Sequence, residues 1–316
     1  MRVTRRGLQL ALGGIWLTDA VLQFQPFMFS SGFAGMLSEA GQREPVIVAA
    51  PVRWSAELVG THPLPWNLAF ALVQAALGFG LILGLRHGRI TRVVLAASIL
   101  WSLGVWWLGE GTAGVLSGTG NIITGYPGAV LLYAILAGAI WPHTYSVSES
   151  DRLPRWIARA WYGLWVGAAV LALLPAQGGY RGLSQAIGGA VRDGWIGRAD
   201  SVIGLHFLNA GTEGLIVWSL VLAAIGIAGL GTHRVKRCAV GAGVVFAVAF
   251  WVFGQGLGQL TTGMATDPNT GPLLILLALA VLAADPVALS RTELQRPIVR
   301  YDVPSAQSAA PQASNH

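Results

Sequence analysis

The sequence predicts an all-α, polytopic membrane protein of eight transmembrane helices, arranged as two tandem four-helix bundles. Three observations predict it. Of 316 residues, 54% are hydrophobic and 11% charged, with a mean hydropathy of +0.59, whereas a soluble domain carries about 25% charged residues. The apolar residues gather into segments near the length of about 20 residues that a helix needs to cross a hydrocarbon core. The second half of the chain also repeats the first.

The first segment, 7–29, follows Arg5 and Arg6 and runs apolar to Pro26, interrupted by Asp19. Its start, "TRRGLQL", resembles a twin-arginine signal, but no A-x-A site follows and it reads as a retained helix. Segments 66–85 and 91–109 flank a basic turn holding Arg86, Arg89 and Arg92, and the short fourth segment, 127–142, opens at Pro127. The fifth, 157–175, follows Arg152 and Arg155 and ends at Pro175. The sixth and seventh, 214–231 and 238–256, flank Arg234, Lys236 and Arg237, and the short eighth, 271–285, opens beside Pro272. The first module is thus 1–145 and the second 146–290. The tail, 291–316, is rich in Pro, Ala and Ser and is expected to be a disordered cytoplasmic end.

The basic residues orient these segments. Fifteen of the 20 Lys and Arg fall three to each of five junctions on one side, from Arg2, Arg5 and Arg6 to Arg291, Arg296 and Arg300. The other side has Arg43, Arg53, Arg181, Arg192 and Arg198, spread over loops 30–65 and 176–213. The positive-inside rule then puts both termini in the cytoplasm of a bacterial inner membrane. The net charge of +6 reports topology, and no nucleic-acid partner is implied. Cys238 is the only cysteine, so an internal disulfide is excluded.

The repeat is direct. "GIWLTDAVLQFQP" lies over "GLWVGAAVLALLP" at an offset of 149, and "LGEGTAGVLSGTGNIITGYPG" over "FGQGLGQLTTGMATDPNTGPL" at an offset of 145, pairing Pro127 with Pro272. Four crossings per half is an even number, so both halves enter the membrane alike, related by a pseudo-twofold along its normal.

Polar groups at membrane depth are costly and usually face a bundle interior or a wet cavity. Trp16, Asp19 and Gln23 share one helical face by their spacing, and the second half has Ala168 where the first has Asp19. Asp19 reads either as a satisfied buried carboxylate or as a proton or ligand group. Glu110 pairs with Gln255, and reads either as a helix cap in an interfacial tryptophan belt or as part of a site. Arg53 and His62 correspond to Arg198 and His206, with Glu213 close by. These read either as loop anchors or as groups that take a quinol proton or hold an anion. Trp106 and Trp107, with Trp101, Trp66 and Trp54, form either an interfacial belt or a quinone headgroup site. No metal motif, P-loop or dinucleotide fingerprint occurs.

The stretches "LGGIWLTDAVLQFQP" and "LGFGLILGLRHGRITRVVLAASI" resemble the DoxX/DoxD family of small bacterial membrane proteins, over most of 7–142 and more faintly over 157–285. The resemblance implies a four-helix fold, here duplicated, and redox biochemistry, since DoxD is a subunit of a thiosulfate:quinone oxidoreductase. It carries no site residues across. The expectation is therefore a quinone-linked oxidation of thiosulfate or another reduced compound. Asp19, Glu110 and His62 would handle protons, Gln23, Trp106 and Trp107 would contact quinone, and Arg53, Arg198, His206 and Glu213 would hold the donor, with a small redox subunit as partner. A non-catalytic membrane subunit or a small-molecule transporter is the alternative.

Overall fold

The computed structural model describes residues 3–142, 153–188 and 194–284, and among them every regular element is helical. Arg2, His143, Arg152, Arg192 and the tail from residue 285 lie outside the described residues. The first helix, α1 (Arg5–Leu22), starts at Thr4, whose hydroxyl accepts the Gly7 amide at 3.0 Å, an N-cap that satisfies one orphan donor. Leu8, Leu12, Trp16, Asp19 and Ala20 form its buried stripe, at the three- and four-residue spacing of one helix face. That stripe packs on α4 (Pro63–Leu83). At the crossing, Gly13 and Gly78 face each other so closely that a Cβ on Gly78 would sit 2.8 Å from the Gly13 carbonyl oxygen. Small residues of this kind let two membrane helices touch backbone to backbone.

Between α1 and α4 the sequence suggested a long loop, and the structure instead has a helical hairpin of α2 (Ser31–Ala40) and α3 (Val46–Thr61). Val48, Val52, Ala56 and Val59 make the buried stripe of α3. The periodicity is helical, but Pro51, Arg53 and Glu57 dilute the apolar signal. The second long stretch differs in the same way, with α8 (Gly179–Gly188) packed on the start of α9 (Gly194–Ala228). The latter continues into the sixth apolar segment through a break at Gly211, where φ is 59°, a conformation natural to glycine.

The remaining helices are α5 (Gly88–Leu108), α6 (Ala129–Ala139), α7 (Trp156–Ala172), α10 (His233–Ala249), which ends in a π turn at Phe250–Gly254, and α11 (Thr270–Ala283). Among the described residues, four spans are long and apolar enough to cross a membrane: α4, α5, α9, and α10 with its π turn. Their surfaces carry exposed Leu72, Phe79, Val93, Leu100, Leu220 and Val245, as helices facing lipid rather than water do. By contrast α6 and α11 are short, apolar and largely buried, and pack on each other at the centre. With a rise of 1.5 Å per residue, α6 is roughly 16 Å long, well short of a bilayer core of about 30 Å.

One end of the bundle carries the two hairpins together with the segments after α5 and α10. Gln25 Nε2 donates to Ala265 O at 2.8 Å, and Gln177 Nε2 to Gly120 O at 2.6 Å, which ties the segments of this hairpin end together.

Candidate functional site

The site is built on the way α5 ends. The amides of Gly109 and Glu110 both donate to Val105 O, at 2.7 and 2.9 Å, so the last turn widens. Gly111, Thr112, Ala113 and Gly114 then all adopt positive φ, between 50° and 75°. Two non-glycine residues there carry real backbone strain. The turn swings Glu110 back over the N-terminus of α6, where its Oε1 accepts the Val130 amide at 3.4 Å. Glu110 thus caps a helix, but it is α6 and not its own. Trp106 Nε1 fixes the same corner by donating to Pro127 O at 2.8 Å.

The end of α10 has a parallel set of bonds. Gln255 N donates to Phe250 O at 2.7 Å, residues 256–259 have positive φ, Gln255 Oε1 accepts Gly271 N at 3.2 Å, and Trp251 Nε1 donates to Pro268 O at 2.8 Å. By these contacts Pro127 is matched by Pro268 and not by the Pro272 of a constant offset, because the second segment is shorter. Gln255 Nε2 also donates to Thr270 Oγ1 at 2.8 Å, so both ends of its amide are used.

Between α1, the α2–α3 hairpin, α4 and α5 lies a chamber of about 520 Å³, within the usual range for a small-molecule site. Aromatic walls come from Trp16, Phe33, Trp54, Trp66, Phe70 and Trp101, and polar groups from Asp19, Gln23, Gln74, Glu110 and Asp267. Tyr133, on α6, donates its hydroxyl to Asp19 Oδ2 at 2.6 Å, and Trp16 Nε1 donates to Ser98 Oγ at 3.1 Å. Asp19 Oδ1, Gln23 Oε1, Gln74 Oε1, Glu110 Oε2 and Trp101 Nε1 are buried without a hydrogen-bond partner in the protein. A buried polar atom left so costs about 1–3 kcal/mol, and five along one cavity mark a place that water or a ligand completes. Trp54 is 58% and Leu100 72% exposed while lining the chamber, so its rim opens on the apolar flank of the bundle.

Asp267 reaches the chamber from the segment after α10. A local turn holds its carboxylate: Oδ1 accepts the Asn269 amide at 2.7 Å and Oδ2 the Thr266 hydroxyl at 2.8 Å. Burial pushes its pKa above the usual range, against those two bonds. Glu110 is partly exposed as a residue, but its Oε2 is buried. Burial first, and then the nearby Asp267 charge, raise its pKa to about 8, against the lowering pull of the Val130 and Ala129 amides.

A second cavity, of about 380 Å³, lies on the hairpin-end side of the same groups. Glu110, Thr266 and Asp267 line it too, opposite Thr119, Asn121, Thr124 and Tyr126. Among the described residues, no Lys, Arg or His lines either cavity.

Of the residues singled out in the sequence, Asp19, Gln23 and Glu110 come together on the chamber. Trp16, Trp54, Trp66 and Trp101 line it as well, whereas the other singled-out residues do not reach it. Trp107 is exposed, and Trp106 spends its indole on Pro127. His62 is exposed beside the Thr61 hydroxyl, at 3.1 Å, and Arg53, Arg198, His206 and Glu213 are exposed as well. Arg53, Arg198 and His206 sit on helices of the two hairpins, His62 stands at the bend between α3 and α4, and Glu213 follows the Gly211 break in α9; all five turn outward, where a loop would have let them fold over the membrane surface. Asp267, Gln74 and Tyr133 were missed. Gln74 follows Asn67 by seven residues, a two-turn spacing that was a readable signal, whereas Asp267 lies far along the chain in a Gly- and Thr-rich segment. Among the described residues no group of three or more His, Cys, Asp or Glu could hold a metal.

In the second half of the chain, Trp165, Trp218, Phe246 and Phe250 pack ring against ring, with centroids 5.6–6.5 Å apart. Phe250 stands at the place of Val105, since each carbonyl receives the bonds that close its helix. Among the described residues, fold and site define a helical bundle with four membrane-length helices and an acid- and aromatic-lined chamber. No family model, curated protein or solved structure matches the chain.

Proposed function

We propose that the chain is an eight-span protein of the bacterial inner membrane, with cytoplasmic termini, made of two DoxX/DoxD-like modules related by a pseudo-twofold, in which the short α6 and α11 complete their crossings through their flanking segments. Its first module binds a quinone in the chamber as part of a membrane redox reaction. The observation that carries this reading is that Asp19 Oδ1 and Glu110 Oε2 both lack a protein partner beside a chamber walled by Trp16, Trp66 and Trp101. Indole faces stack on a flat headgroup. A carboxyl can donate to a quinone carbonyl when protonated and accept from a quinol hydroxyl when ionised, and it can supply the protons that quinone reduction consumes. The exposed rim at Trp54 and Leu100 suits access from the bilayer.

The donor that suits the site is uncharged. Thiosulfate, which the family resemblance suggests, would meet Asp19, Glu110 and Asp267 with no basic side chain to balance it, so another small reduced compound fits better. A second reading, the transport of a lipophilic cation, is favoured by the same absence of basic lining residues together with the aromatic walls, which attract cations.

Quenching of tryptophan fluorescence in the purified protein separates the two. Decylubiquinone should quench and be displaced by quinone-site inhibitors, while tetraphenylphosphonium should not compete. Saturable tetraphenylphosphonium binding with no quinone binding would replace the first reading by the second.

A further inference from the structure

The two cavities share a wall. Glu110, Thr266 and Asp267 line both the aromatic chamber and the hairpin-end vestibule. We propose that the Glu110–Asp267 pair is a two-sided proton passage, through which the chamber exchanges protons with the water at the hairpin end. The inference deepens the quinone reading, and rests on it for what happens in the chamber.

Both carboxyls are held for this role from outside the pair. Glu110 is fixed through one oxygen, Oε1, by the Val130 amide, while Oε2 is buried with no partner. Asp267 is fixed by the Asn269 amide and the Thr266 hydroxyl. They come from opposite halves of the chain, so the wall exists only when both halves are folded together.

Among the described residues, the titratable groups that line the two cavities with Glu110 are all acids. Asp19 on α1 lies across the chamber, Tyr133 on α6 bonds Asp19, Tyr126 lines the vestibule, and Glu44 of the α2–α3 turn packs beside Gly111. With no Lys, Arg or His among the described residues lining either cavity, adding a second negative charge is costly, and the pair holds at least one proton near neutral pH. Glu110, with its pKa near 8, exchanges that proton readily there. The second half lacks such a gate: Gln255 stands where Glu110 does and has its amide tied to Thr270 and Gly271.

Two-sided chemical labelling in proteoliposomes tests the passage without any quinone. Dicyclohexylcarbodiimide, which partitions into the bilayer and attacks protonated carboxyls, should modify Glu110 from the chamber. A water-soluble carbodiimide with glycine ethyl ester, added at the hairpin-end side, should modify the same residue, and peptide mass mapping should show each reagent blocking the other. Modification of Glu110 from one side alone overturns the passage. A stopped-flow pH step at the hairpin-end side should then change the chamber tryptophan fluorescence. Glu110→Gln with Asp267→Asn should slow that change by at least about tenfold, the scale on which a positioned proton carrier acts, while Asp19→Asn removes it. An unchanged rate in the double variant also overturns the passage. Decylubiquinone should protect Glu110 from the apolar reagent only. If it protects from neither, the quinone reading falls and the passage stands.

Discussion

The Tyr133 hydroxyl donates to Asp19 Oδ2 at 2.6 Å, joining the central helix α6 to the carboxylate on α1. Tyr133 is fully buried and packs its ring 4.4 Å from that of Trp16, so the bond sits in the packed interior. Tyr133→Phe should destabilise the detergent-solubilised protein by about 1–3 kcal/mol, the cost of orphaning a buried acceptor, and lower its melting temperature. Asp19→Leu removes the acceptor and should also cost stability. In the double variant the two effects should fall short of their sum, since both act on one bond. Strict additivity would show that the contact contributes nothing.

Glu110 is positioned by a glycine. A Cβ on Gly128 would collide with Glu110 Oε2 and sit 2.9 Å from Trp106 Cδ1, and Gly128 has φ of 101°. Gly128→Ala should therefore strain the backbone by about 1–3 kcal/mol and drive the carboxylate off the shared wall. Glu110→Gln/Gly128→Ala keeps the crowding and the strain but removes the charge. Lost carbodiimide labelling of Glu110 in Gly128→Ala, with the fold kept by circular dichroism, is the expected result. Labelling at the wild-type level would mean that the side chain has another way to sit.

Stability should fall as pH rises through the range in which Glu110 is protonated only when folded. Its ordinary pKa of 4.5 is raised to about 8. Below 4.5 both the folded and unfolded chains hold the proton, and the group contributes no pH dependence. Between 4.5 and 8 only the folded chain keeps it, so each pH unit costs the folded state at most about 1.4 kcal/mol, less what water at this partly exposed residue screens. Above about 8 the loss is complete. Melting temperatures from pH 5 to 9 should thus decline more steeply in the wild type than in Glu110→Gln, and the variant should be the more stable of the two at pH 8. The raised pKa of Asp267 leaves a slope of the same sign in both. Parallel curves would refute the shift.

The chamber was half legible in the sequence. Trp16, Asp19 and Gln23 are close along one helix, so their spacing alone put them on one face. The pairing of Glu110 with Gln255 identified a polar corner, although not that it caps α6, because that contact depends on four consecutive left-handed residues that composition does not reveal. Asp267 was out of reach, since it meets Glu110 only after the two halves of the chain have packed. The hairpins were missed for a different reason. Val48, Val52, Ala56 and Val59 bury one narrow stripe, and its signal is weak beside the continuous apolar runs of the membrane-length helices. Arg53, Arg198 and His206 read as loop residues for the same reason, whereas on a helix their outward direction is set by the buried stripe opposite; His62 stands at the bend after α3.

The difference between the two halves can be exchanged by single substitutions. Val105 lines the chamber, and its counterpart Phe250 fills the corresponding space against Trp165, Trp218 and Phe246. Val105→Phe should place a ring between α5 and the aromatic wall, close much of the chamber and weaken decylubiquinone binding by at least about tenfold, or about 1.4 kcal/mol. Stability should hold or rise, because the ring fills space rather than displacing packed atoms. Phe250→Val should do the reverse, opening a cavity among Trp165, Trp218 and Phe246 at a cost of about 2–4 kcal/mol. It should not create a second quinone site, because Ala168 and Gln255 stand there in place of Asp19 and Glu110. Quinone titrations of both variants, read beside their melting temperatures, decide whether the carboxyls or the open space make the site. A Phe250→Val protein that binds two quinones would show that the space alone is enough.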